Sequence, residues 1–225
     1  MRALRPLLLL VLPLVRAEAP PAPSPAERLA DGRVRLGLVV VDPAARTATL
    51  PALLNQTHGV IEYALVHETG KTHESLLRTA AGALDLHAAA LLLDVPPAGP
   101  AAVTNAAAPA ASAVEISVAR TNAAGAVITR PLQEWIELRQ DEARRTRAGF
   151  PPPRWLYNGS LLTAEGFAAH FEGSLVSLIR DPAALVNSLA PSAGDDDIHF
   201  PAAAGLPATN TPVAVVLHFP APAAP

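Results

Sequence analysis

Ile61-Glu-Tyr-Ala-Leu-Val-His-Glu-Thr-Gly-Lys-Thr-His-Glu-Ser-Leu-Leu77 reads as two short strands joined by a polar loop. Gly70 stands where a three-residue hairpin loop calls for a left-handed residue, which predicts an antiparallel pairing of Tyr63 with Ser75 and His67 with Lys71. On that register Tyr63, His67, Lys71, His73 and Ser75 share one face of the hairpin. Glu62, Val66, Thr72, Glu74 and Leu76 share the other. His73 and Glu74, as neighbours on a regular strand, would then point apart and could not ligate one ion. The same stretch holds the chain's single lysine, so polar chemistry is concentrated in it.

Outward from this segment, further strands are signalled by apolar alternation between turn residues. They are Val34 to Val41, Thr47 to Leu50, Val114 to Ala119, Ala126 to Thr129, Leu175 to Ile179 and Val213 to His218. Asp42-Pro-Ala-Ala45 and Asn122-Ala-Ala-Gly125 read as turns. Leu84 to Leu93 reads as a short helix with Leu84, Ala88, Leu91 and Leu92 on its apolar face. Asp181-Pro182 offers an N-cap and a first-turn proline for a second helix through Asn187, and the polar run Gln133 to Arg147 reads as a solvated helix or loop. These signals predict an α+β fold: a single domain, mainly antiparallel β-sheet, with two or three short helices. Trp135, Trp155 and Phe171 are expected in the core, because aromatic residues are scarce.

The ends of the sequence predict an address. Met1-Arg-Ala-Leu-Arg-Pro, the apolar run Leu7 to Val15 and small residues at Val15 and Ala17 have the form of a secretory signal peptide over residues 1–17. The run is too short to span a bilayer, so no transmembrane segment is expected after cleavage. A Pro/Ala-rich spacer is expected over 18–30 and the folded domain over 31–219. That domain contains an Ala/Pro-rich excursion at 95–113, and a disordered tail is expected at 220–225. The product would be exported, periplasmic or extracellular. Sixteen of seventeen basic residues are arginine, as a GC-rich bacterial genome would give. Loss of Arg2, Arg5 and Arg16 takes the charge from 17 − 20 = −3 to 14 − 20 = −6, a balance unsuited to nucleic acid. The absence of cysteine excludes disulfides, thiolate zinc sites, iron–sulfur clusters and lipoprotein acylation.

The chemistry-bearing motifs are incomplete. Gly70-Lys-Thr72 lacks the glycine five residues earlier that a phosphate loop needs, since position 65 is leucine. Ser75 lies outside any Gly-x-Ser-x-Gly elbow. Asp195-Asp-Asp197 lacks the spaced ladder of a calcium loop and reads as a solvated turn. His67, His73, Glu74 and His87 carry nitrogen and oxygen donors for a divalent metal, without the His-Glu-x-x-His spacing.

The blocks Val41-Asp42, Arg46, Leu50-Pro-Ala52, Gly59 to Val66, Gly70-Lys-Thr-His-Glu-Ser-Leu-Leu77 and His87 to Leu93 resemble the YdjY-domain family of bacterial exported proteins. So do Trp155-Leu-Tyr-Asn-Gly-Ser160, Phe171 to Ile179, Asp181 to Asn187 and Leu206-Pro207 with Thr211-Pro-Val213. The resemblance spans residues 33 to 219 and implies an exported domain without an established activity. A ferredoxin-like label attached to some members does not carry over to a chain without cysteine. The leading expectation is a non-catalytic binding or assembly module of the cell envelope, whose contact face for an envelope protein or small ligand bears Tyr63, His67, Lys71 and His73. Glu62, Glu74 and Ser75, with Lys71, form a candidate structural network. The alternative is a metal-dependent hydrolase using His67, His73, Glu74 and His87, which requires a bulge to bring His73 and Glu74 together.

Overall fold

The computed structural model describes residues 21–104, 109–140, 146–151 and 155–221. Strands β1 (Ala26–Arg28), β2 (Val34–Leu36) and β3 (Val39–Asp42) form an antiparallel ribbon leading into β4 (Thr47–Leu54). β5 (Tyr63–His67), β6 (Ser75–Thr79) and helix α1 (Ala83–Leu92) follow. After the Ala/Pro-rich stretch come β7 (Ala113–Thr121), β8 (Val127–Pro131), β9 (Ile136–Gln140), β10 (Thr146–Gly149) and β11 (Trp155–Tyr157). A small hairpin, β12 (Leu162–Thr163) with β13 (Gly166–Phe167), leads into helix α2 (Ala168–Glu172). The chain then runs through β14 (Ser174–Ser177), β15 (Val186–Ser188), β16 (His199–Pro201) and β17 (Pro212–His218).

Eight of these strands close on themselves in the order β4, β17, β7, β11, β15, β14, β5, β6 and back to β4. The expected α+β fold with one mainly antiparallel sheet is therefore corrected: the protein is mostly β, built on a closed eight-stranded barrel with additional strands and two helices among the described residues. Closure depends on a short seam, Leu53 with Arg78 and Leu54 with Leu77, which removes the edges an open sheet would leave. Eight strands enclose a space that side chains can fill. Alternation supplies them in register: Val215 lies between Leu50 and Val118, Leu217 between Ala48 and Ile116, and all six are buried.

The opening segment is not an antiparallel hairpin. β5 and β6 run parallel, with Tyr63 beside Ser75, Leu65 beside Leu77 and His67 beside Thr79. Residues 68–74 carry the chain back to the start of β5, ending in a 3-10 turn over Thr72–Glu74. The physical reason lies in burial. Tyr63 to Val66 and Ser75 to Leu77 are buried at consecutive positions, and strands covered on both faces suit parallel neighbours. Gly70 is absent from the positive-φ residues; it is required by contact instead, because a Cβ there would lie 2.8 Å from the Glu172 carbonyl oxygen.

Four other expectations change. Within 133–147, β9 and β10 pair, and β16 joins β9 on the other side. Asp181 to Asn187 is not a helix. The Asp181 carboxylate accepts the Ala183 N–H (2.9 Å) in a tight turn. Val186 to Ser188 then enter the barrel wall, buried between β11 and a parallel β14. Helix α1 lies where expected but is rotated about its axis: Ala83, Leu86, Ala89 and Ala90 are buried, whereas Leu91 and Leu92 are exposed. Asp85 shares the buried face and accepts hydrogen bonds from the Ser24 N–H (2.5 Å) and hydroxyl (3.0 Å). Trp135 and Trp155 are buried, but Phe171 is exposed on α2.

The described part of the Ala/Pro-rich excursion packs onto the barrel. Val95, Val103 and Ser112 are buried, and the Ala98 and Gly99 N–H groups donate to the Tyr157 and Asn158 carbonyls. The expected signal peptide falls outside the described residues. Among those that are described, no helix is long and apolar enough to cross a membrane.

Candidate functional site

Lys71 sits in the loop between β5 and β6, and three elements converge on it. Its Nζ donates to the Tyr63 hydroxyl (2.7 Å) and to Glu172 Oε2 on α2 (3.3 Å), and lies 3.8 Å from Asp181 Oδ2. The Tyr63 hydroxyl in turn donates to Asp181 Oδ2 (2.9 Å). The ammonium also stands 4.7 Å from the centre of the Tyr63 ring, within cation–π reach. One cation therefore ties the β5–β6 loop, α2 and the 181–185 turn together.

Burial pushes the Tyr63 hydroxyl up to about 12, so it is a neutral donor at physiological pH. Burial alone would pull the Lys71 ammonium down, but its hydrogen bond to Tyr63 and the Asp181 and Glu172 carboxylates outweigh that and raise it. Lys71 is therefore charged and Tyr63 protonated, which makes the cluster a charge-assisted clamp rather than a poised acid–base pair.

A second layer fixes Asp181. Asn187, fully buried on β15, accepts the Asp181 N–H (2.8 Å) and donates to the Asp181 carbonyl (2.8 Å) and to Asn158 Oδ1 (2.8 Å). Asn158 donates to the carbonyls of Pro182 (3.2 Å) and Ala184 (2.9 Å). Ser160, held at φ +65°, donates to the Ala183 carbonyl and accepts the Ala169 N–H (3.0 Å), joining the turn to α2. Sequence reading missed Asp181, Glu172, Asn158, Asn187 and Ser160 as a set. Asp181-Pro182 carries a local signal, but it is that of a helix cap.

The remaining candidates are dispersed. His67 turns to the Thr69 hydroxyl (2.8 Å). His73 is the most exposed of them, with 79% of its side chain accessible. The 3-10 turn brings His73 Nε2 to 3.6 Å from Glu74 Oε2, so the expected divergence of these neighbours does not hold. His87 on α1 shares a 2.7 Å hydrogen bond with the Tyr157 hydroxyl and packs against Phe167. Ser75 is buried and accepts from Asn55 Nδ2 (3.2 Å). Glu62 donates its backbone N–H to the Glu74 carbonyl (2.8 Å), and burial, then the Glu74 and Asp196 carboxylates, raise its own side chain. Lys71 thus forms its ion pairs with Glu172 and Asp181 rather than with Glu62 and Glu74.

Among the described residues, no three His, Asp or Glu side chains are grouped so as to hold a metal ion. Of His67, His73, Glu74 and His87, only His73 and Glu74 approach each other. No family model matches the chain, and no curated protein or solved structure matches it.

Proposed function

We propose that this chain is an exported, YdjY-like binding or assembly module of the bacterial cell envelope, non-catalytic, with its contact face on the β5–β6 crossover loop. The observation that carries the reading is the combination of a rigidly clamped loop with an accessible outer edge. Lys71 is fixed by three partners, while Glu172 keeps 43% of its side chain exposed and His73 keeps 79%. A preorganised surface loses little freedom on binding, which is what a recognition loop needs. The single ammonium of this loop is outnumbered by the carboxylates of Glu62, Glu74, Glu172 and Asp181, which favours a basic partner surface.

The test is capture of partners from solubilised envelope by the mature domain. His73→Ala is expected to abolish capture while leaving the melting temperature unchanged, because its ring is exposed. Lys71→Ala is expected to lose both capture and stability. Undiminished capture by the His73 variant would sink the proposal.

A further inference from the structure

The barrel wall has a gap beside Pro51. β3 pairs with β4 only as far as Thr49, opposite Val40, and β6 joins β4 only at Leu53, opposite Arg78. Pro51 lies between them and has no N–H to leave unpaired. Its carbonyl accepts the Thr79 hydroxyl at 2.6 Å. Over this gap lies a mostly apolar cavity of about 220 Å3, lined by Pro51, Ala52, Leu53, Val213 and Leu38 among others. Leu38 is a large aliphatic residue that is 46% exposed, although it borders an apolar surface.

Two charged side chains, Arg78 and Glu68, also line the cavity. Arg78 Nη1 donates to Asn55 Oδ1 (3.0 Å) and Nη2 to Asn210 Oδ1 (2.7 Å). Asn55 is itself anchored by hydrogen bonds to the Ser75 carbonyl and hydroxyl. The guanidinium is therefore held in place by neutral amide oxygens, with no carboxylate partner among the described residues. Its charge is uncompensated and further N–H donors remain, the arrangement that recognises a carboxylate. Glu68 lines the same cavity without an ion pair to Arg78, so a second charge of opposite sign is also available.

We propose that this gap binds a free aliphatic α-amino acid, with its carboxylate on Arg78, its ammonium toward Glu68 and its side chain against Leu38, Leu53 and Val213. The three features of the cavity match the three parts of such a molecule, and a leucine-sized body is commensurate with its volume. The site shares the β5–β6 loop with the Lys71 cluster through Glu68 but none of its side chains, and it does not depend on that cluster's function.

Isothermal titration of the mature full-length domain with L-leucine tests the assignment. One saturable site is expected, and Arg78→Gln and Glu68→Gln should each weaken it by about tenfold or more, as loss of one charge-assisted hydrogen bond does. 4-Methylpentanoate, lacking the ammonium, and 3-methylbutylamine, lacking the carboxylate, should each bind about tenfold more weakly than leucine for the same reason. Leu38→Glu, a change at an exposed position, should abolish binding with the melting temperature retained, and Arg130→Gln on β8 should leave affinity unchanged. Absence of leucine binding, unchanged affinity in the Arg78 or Leu38 variant, or equal binding of 4-methylpentanoate would overturn the proposal.

Discussion

Replacing Asn187 by alanine removes the side chain that holds the 181–185 turn to the barrel. Three hydrogen bonds disappear at a position with no solvent exposure: those with the Asp181 N–H, the Asp181 carbonyl and Asn158 Oδ1, each 2.8 Å. A buried polar group left without its partner costs about 1–3 kcal/mol. Asp181 is only partly buried, so water can recover some of the loss at two of the three groups, and the net cost should be about 3 kcal/mol. In a domain of this size ~1 kcal/mol corresponds to roughly 2–4 °C in melting temperature, which predicts a fall of about 6–12 °C. Urea unfolding followed by circular dichroism gives the free energy directly, with an unchanged slope if the native fold is kept. Asn122→Ala is the comparison, since Asn122 caps an exposed turn through the Ala124 and Ala126 N–H groups and should cost about 1 kcal/mol or less. If Asn187→Ala costs no more than Asn122→Ala, the buried amide network is not what fixes Asp181.

Other outcomes follow from the same structure. Both tyrosines have raised ionisations, Tyr63 to about 12 and Tyr157 further still through burial, against 10 in the unfolded chain. The native state keeps these protons while the unfolded state releases them, so stability should fall above pH 10 by up to ~1.4 kcal/mol per pH unit for each tyrosine. Tyrosinate absorbance should appear only with unfolding; free titration of either ring near pH 10 would contradict its burial. His199 is fully buried, and its ring is held down to about 4 against 6.5 unfolded, by burial. Its contribution is complete above pH 6.5 and is lost as pH falls toward 4, where the unfolded state binds the extra proton, a decline of about 3 kcal/mol. His199→Gln should flatten that limb of the pH–stability curve, and an unaltered limb would exclude His199 as its source. Gly70→Ala should lower stability by about 1–3 kcal/mol through overpacking against Glu172 and Gly173, whereas a neutral result in thermal unfolding would mean that the loop yields.

Alternation was the most legible signal in the sequence. Val114, Ile116 and Val118 are buried on β7, Val213, Val215 and Leu217 on β17, and Asn122 to Gly125 turns as its residues require. Barrel closure was not legible, because it depends on the two-residue pairing of β4 with β6 and on parallel neighbours, neither of which leaves a local mark. The Glu68-Thr-Gly70 stretch imitates a hairpin loop, yet consecutive burial on both flanking strands outweighs turn chemistry. Gln133 to Arg147 looked solvated because its polar residues are frequent, but Trp135, Ile136 and Leu138 are buried. At the site, Tyr63 and Lys71 could be chosen from sequence alone. Their partners Glu172 and Asp181 lie about a hundred residues away, and nothing in the spacing of Asn158 and Asn187 announces their contact.

The central claim, that the β5–β6 loop is a clamped recognition face rather than a metal centre, is tested most directly by total metal analysis. The domain over residues 18–225 should be purified without a histidine tag or chelator, beside a variant with His67 and His73 changed to alanine. The account predicts a substoichiometric metal content that is the same in both proteins, which fold equally well. Stoichiometric metal in the native domain that is lost from the variant would contradict it and establish His67 and His73 as ligands.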